Sequence, residues 1–124
     1  MRALELIDFI QDQVPFTYYP NRFPPTSKDI CAMVAITPGM PIDEWTGKKQ
    51  PSFQILVRGK EGTEAETEEK AHEIFNALAN RKNVKIGDES VVIIRPEGSS
   101  PIQIGTDEQR RPVFSMNFNT VIRP

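Results

Sequence analysis

From Val113 to Ile122 the chain alternates between apolar and polar side chains, and this constrains the fold more than any other stretch. Phe114, Met116, Phe118 and Ile122 fall on one side of an extended backbone, with Ser115, Asn117 and Asn119 on the other. Successive side chains of a strand point to opposite faces. A period of two with one apolar face therefore predicts a sheet covered on one side and open on the other. The residues before it, Glu97 to Arg111, read as a long polar loop feeding that strand. Loops of this length in small domains are functional or disordered. A short chain that gives so many residues to one loop, with no catalytic constellation beside it, has the make-up of an assembly part.

The upstream segments supply partners for such a strand. Ala3, Leu6, Ile7, Ile10 and Val14 recur at helical spacing, and Pro15 ends that first amphipathic helix. Pro15, Pro20, Pro24 and Pro25 then forbid regular structure up to Ser27, which predicts an extended connection carrying Phe16, Tyr18, Tyr19 and Phe23. Asp29 to Ile36 is a nearly continuous apolar run closed by Thr37-Pro38-Gly39, the pattern of a buried strand. A second loop, Met40 to Gln50, holds Trp45, and Phe53 to Arg58 reads as a strand with Phe53, Ile55 and Val57 inward. Thr63 with Glu66 three residues on predicts a capping box for a second helix. Its core stripe is Ala71, Ile74, Phe75 and Leu78, and Arg81 and Lys82 lie at its end. Val84 to Ile86 and Val91 to Arg95 form strands about a turn at Gly87-Asp88. The expected fold is α+β: an antiparallel or mixed β-sheet with two helices packed on one face.

A length of 124 residues sets one domain over residues 1–124, since two would each be too small to bury a good core. Net charge is -2, which supplies no basic field for gripping duplex DNA. The lone Cys31 excludes an internal disulfide and sits among apolar neighbours, as a buried inert thiol does. The N-terminus has acids within its apolar stretch and no small-residue cleavage site, and no apolar run approaches a membrane span. The expectation is a soluble chain that is cytoplasmic when made.

The chemical motifs are absent. Neither phosphate-cradling glycine pattern occurs, and Ser99-Ser100 lack a nucleophile elbow. His72 has no second histidine or cysteine near it, so a surface residue is the expectation and a metal ligand is not. The acids from Glu61 to Glu69 lack EF-hand spacing and read as a solvated helix start. Asp107 and Glu108 are adjacent and point apart. Arg110 and Arg111 suit an ion pair with Asp107 or Glu108 in the same loop, or with a neighbouring subunit, better than a phosphate contact. No catalytic residue, metal or cofactor is expected, and the chain is not expected to be an enzyme.

Several segments in order carry a family resemblance. They are Pro15 after the first helix, Thr37-Pro38-Gly39-Met40-Pro41, the strand Phe53-Gln54-Ile55-Leu56-Val57-Arg58-Gly59, and a helix with Ala65, Ala71 and Leu78. Ser99-Ser100-Pro101-Ile102-Gln103-Ile104-Gly105-Thr106-Asp107-Glu108 and Arg111-Pro112-Val113-Phe114-Ser115-Met116-Asn117-Phe118 complete the set. With these segments the chain resembles, over most of its length, the small minor capsid and tail-terminator (tail-completion) proteins of long-tailed bacteriophages. The resemblance implies an α+β structural protein of the virion that forms a homo-oligomeric ring, usually of six copies. Such a ring caps the tail tube, meets the head connector at the head–tail junction, and lets DNA pass without specific binding. The Trp45 loop and the Gly98 to Arg111 loop are then the expected contact surfaces, with Trp45, Asp107, Glu108, Arg110 and Arg111 as interface residues. A head-side completion protein is the alternative within the same virion. A small single-stranded nucleic-acid-binding module is the alternative of another class, but it needs exposed aromatic and basic residues where the last strand offers Ser115, Asn117 and Asn119.

Overall fold

The alternating C-terminal segment forms β7 (Pro112–Ile122), and the sheet is built outward from it. The computed structural model describes residues 1–124, in the order α1 (Ala3–Gln13), β1 (Tyr18–Pro20), β2 (Cys31–Met40), β3 (Gln50–Arg58), α2 (Glu64–Leu78), β4 (Lys82–Ile86), β5 (Glu89–Pro96), β6 (Ile102–Thr106) and β7. Along one edge β7 pairs antiparallel with β3, setting Phe118 beside Phe53, Met116 beside Ile55 and Phe114 beside Val57. Its other edge is shared end to end: β5 takes Phe118 to Ile122, and β6 takes Pro112 to Ser115. The strand order is β1-β2-β3-β7-β5-β4, with β6 attached to β7 alone. Only β1 and β2 run parallel, so the sheet is mixed.

Both helices cover one face. α1 turns Leu6, Ile7 and Ile10 inward, and α2 turns Ala71, Ile74, Phe75 and Leu78 inward, as the helical spacing predicts. They close over the inner side chains of β2, β3, β5 and β7 in one cluster of 20 buried residues. At its centre Phe118 stacks on Phe53 with ring centroids 5.0 Å apart and meets Phe75 at 5.6 Å. α1 touches β1 and β2 toward one edge of the sheet and β4 at the other, so the sheet curls around it.

Several sequence expectations change. The stretch Glu97 to Arg111 is not one loop: Ile102–Thr106 form β6, a short strand in a hairpin with β7. The proline-rich connection contains β1, which pairs with β2 through Tyr18 to Pro20. The outer face is not open along its whole length. Ser115 is buried because Leu56 and Ile102 flank it in register and Gln54 Nε2 donates to its hydroxyl at 3.2 Å. Thr120 falls on the core side and is buried, donating to the Pro51 carbonyl at 2.7 Å. No capping box forms at Thr63. Its hydroxyl donates to the Lys60 carbonyl, and Thr67 Oγ1 donates back to the Thr63 carbonyl. The helix stops at Leu78, and Arg81 rather than a last-turn cation reaches back to the Ala77 carbonyl at 3.5 Å, while donating to Gln13 Oε1 on α1 at 2.7 Å.

Gly39 breaks the register between Thr37 and Met40 with φ of +65°, and a Cβ there would collide with the Gln50 carbonyl. Glycine is thus required for the hairpin end that carries Trp45 to form.

Phe75 is 6% exposed and lies against Phe118. Phe75→Ala should destabilise by about 3–5 kcal/mol, the range for truncating a buried aromatic. Denaturant melts followed by two probes measure it. A loss below about 1 kcal/mol, typical of surface changes, would show that this ring does not hold the core.

Candidate subunit interface

Two surfaces lie at opposite ends of the strand direction. β3 starts at the Trp45 hairpin and ends beside the β6–β7 turn, and its nine residues span roughly 30 Å.

At the first end the hairpin turn is held by its own backbone. Asp43 Oδ1 accepts the N–H groups of Trp45 at 2.9 Å and Thr46 at 2.8 Å. The Gly47 N–H donates to the Asp43 carbonyl, and the Asp43 N–H donates to the Lys48 carbonyl. The backbone N–H groups of Thr46 and Trp45 stabilise the charged form of Asp43 and hold its carboxyl below the ordinary aspartate value. A side chain that bonds the backbone two and three residues on makes a stiff turn. The turn presents Trp45 at 88% exposure, flanked by exposed Met40 and Ile42.

The second end is built by a chain of polar contacts. Arg58 closes β3 on its outer side and is 4% exposed. Its guanidinium donates to the carbonyls of Asp29 (3.1 Å) and Lys28 (2.7 Å) and to the Ser27 hydroxyl (2.9 Å), and the Phe23 ring lies over it at 4.4 Å. The segment Phe23 to Asp29 is thus strapped across the outer face over Cys31, which is fully buried. Arg111 continues the chain. It donates to Asp29 Oδ1 at 2.9 Å and to Asp107 Oδ2 at 2.7 Å. Partial desolvation opposes ionisation of Asp107, yet the backbone N–H and guanidinium of Arg111, with the Gln109 N–H, outweigh it and keep the carboxyl below its ordinary value.

This arrangement sorts the five predicted interface residues. Asp107 and Arg111 come together in an ion pair within the subunit and shape the turn. Glu108 and Arg110 stay exposed at its tip, Arg110 at a φ of +61° with only an exposed 3.6 Å contact to Glu61. Trp45 stands apart from all four, at the far end of the sheet. The sequence reading missed Ile102 and Ile104, both well exposed on β6, although their alternation with Gln103 carries a strand signal. It also missed Arg58, over which Phe23 of the extended connection packs. Ile104 and Thr106, with Phe23, Leu56, Arg58 and Val113, line a cavity of about 300 Å³ on the outer face. No three His, Cys, Asp or Glu side chains converge as metal ligands do, and no helix is long and apolar enough to cross a membrane.

Residues 4–124 match the family described as bacteriophage tail terminator protein. The chain belongs to that family. Its members are structural proteins of the phage virion rather than enzymes, and the role of this chain is accordingly structural, in phage tail completion. A solved chain from the virion of a native gene transfer agent particle shares the fold, with 13% identity and a TM-score of 0.65 over 93% of this chain and 84% of that one. A second solved chain is 16% identical, with a TM-score of 0.63 over 98% of this chain and 92% of its own. At such identities the likeness concerns the fold. No curated protein matches the chain. Exposed apolar and charged groups thus stand at two ends of this tail terminator fold.

The Asp107 tie makes a signed prediction. A carboxyl whose folded value is depressed adds stability that is fully present above its unfolded value, near about 3.9, and is lost as pH falls through the folded value. Asp107→Asn should therefore lower the melting temperature at pH 6, and its deficit against the parent should shrink as pH drops below about 4. Paired thermal melts from pH 6 to pH 2 check this. A deficit that stays constant across that window would show that the charge of Asp107 does not stabilise the turn.

Proposed function

We propose that this tail terminator closes into a ring of six copies that caps the tail tube and joins it to the head connector at the head–tail junction. Residues 1–124 act in it as one unit. The observation that carries the reading is the placement of two different exposed surfaces at opposite ends of one subunit. A closed ring repeats a heterologous contact, in which one patch of each copy meets a different patch of the next. The Trp45 hairpin and the β6–β7 turn with Glu108 and Arg110 are such a pair, and aromatic and arginine side chains dominate interface energies. Asp107 and Arg111 serve the contact by fixing the shape of the turn. A net charge of -2 suits a passage that carries DNA without holding it.

Negative-stain microscopy and native mass spectrometry of the protein, alone and with its tail tube protein, test the ring. Arg110→Glu should leave the melt unchanged, because that side chain is 82% exposed, while ring closure and the joining of tails to heads fall sharply. A double change that included Arg111 would confuse the result, since it breaks the ties to Asp29 and Asp107. Rings that form and join as in the parent would remove Arg110 from the interface. A parent that never forms rings, alone or on tubes, would reject the ring itself.

Binding to duplex DNA should be weaker than micromolar at physiological salt. Submicromolar affinity with the steep salt slope of many phosphate contacts would instead favour a nucleic-acid-binding role.

A further inference from the structure

We propose that Trp45 of one copy seats in the outer-face cavity of the next copy, against Phe23, Leu56, Ile104 and Val113. The proposal rests on the ring reading above and names the two surfaces that meet. Trp45 is the only tryptophan in the chain and is 88% exposed, on a turn whose internal hydrogen bonds keep it from folding back. A ring held out in one orientation is preorganised for a pocket and loses little freedom on entering it. The cavity, about 300 Å³, lies at the small end of the range of binding pockets, a scale suited to one bicyclic side chain. Ile104, 59% exposed, forms its open apolar wall, and no side chain of its own subunit covers that wall.

Charge complementarity identifies a second copy as the occupant. The turn carries Glu44 beside Trp45 and Lys48 and Lys49 just after it, all exposed. The β6–β7 turn, which lends Asp107 to the cavity lining, carries Glu108 and Arg110 at its tip, both exposed. Lys49 already contacts Glu89 at 3.5 Å, so seating the indole brings Glu44 and Lys48 toward Arg110 and Glu108, and both signs find partners. Another cavity of about 300 Å³ lies at the same end on the helix side, between Phe16, Ile30 and the start of α2. Its rim cation Lys70 is held by Glu73 at 3.1 Å and by the Phe16 ring, more tightly than the exposed 3.6 Å contact to Glu61 holds Arg110. The outer-face cavity is therefore the better complement. Because knob and cavity lie at opposite ends of the subunit, every copy offers both, and the contact propagates head to tail until it closes.

The single tryptophan reports its own burial. As the parent assembles over a concentration series, Trp45 emission should move to shorter wavelength. Trp45→Ala removes the knob, and Ile104→Glu blocks the cavity; both positions are exposed, so circular dichroism and melts should match the parent. Each variant alone should associate at least about 30-fold more weakly, the change expected of a central interface residue. Ile104→Glu should keep the long-wavelength emission of the free subunit. Mixed one to one, the two variants retain one intact knob and one intact cavity between them. Sedimentation should then show pairs that cannot close into rings.

Trp45→Ala rings that form at parent concentrations would overturn the knob and leave the ring reading standing. A mixture of folded variants that yields no pairs would show that Trp45 meets some other surface, the helix-side cavity included, and would overturn the proposal. A parent that stays monomeric throughout and on tail tubes would overturn both readings.

Discussion

A strand has two edges, and β7 must serve three neighbours with them. β3 takes one edge from Val113 to Asn119, leaving β5 and β6 to divide the other. This division shapes the molecule. Where β5 pairs, the sheet continues to β4 and curls under α1, and the inner side chains are sealed into the core. Where β6 pairs, nothing continues the sheet, and all five residues of β6 remain exposed. The same strand that anchors Phe118 between Phe53 and Phe75 thus holds out the exposed β6–β7 hairpin. Displacing β7 by one residue would turn Phe114, Met116 and Phe118 outward, so the register that builds the core also fixes the position of β6.

The outer face shows how the competing costs resolve. Burying a guanidinium is expensive unless its donors are met. Arg58 has no carboxylate in direct contact and meets the cost with two carbonyls, a hydroxyl and the face of Phe23. Those acceptors belong to a strap with no regular structure, so the arginine organises backbone that would otherwise have no partner. Through Asp29 the strap reaches Arg111, and through Arg111 it reaches Asp107. A turn on the surface is thereby tied, in three polar steps, to the end of a core strand.

Much of the fold was legible because long periodic segments announce themselves. The core stripe of α2, the inner residues of β3 and the alternation of β7 all stand where their spacing puts them. The two missed strands share one cause. β1 has three residues and β6 five, and each exists only because a strand distant in sequence offers it an edge. No local pattern of that length separates strand from loop. Thr63 offered a good capping signal, but its hydroxyl found the Lys60 carbonyl first. At the candidate interface, a lone tryptophan in a polar loop was a readable sign, and so was a cluster of charges. Which of those charges face inward was not readable, because the partner of Arg111 lies 82 residues away at Asp29. Arg58, at the end of a strand, carries no local sign of burial. Only the strap buries it.

Cys31 lies under that strap, fully buried, with its thiol pushed above the ordinary value by desolvation. A thiol in this setting is inert until the cover moves, because reagents need the exposed thiolate. Its rate of alkylation therefore times the lifting of Ser27 to Asp29, a local opening that need not disturb the helices or the aromatic core. The chain thus carries a built-in chemical clock beside the cavity on its outer face. Anything that settles there and steadies the strap will slow the clock.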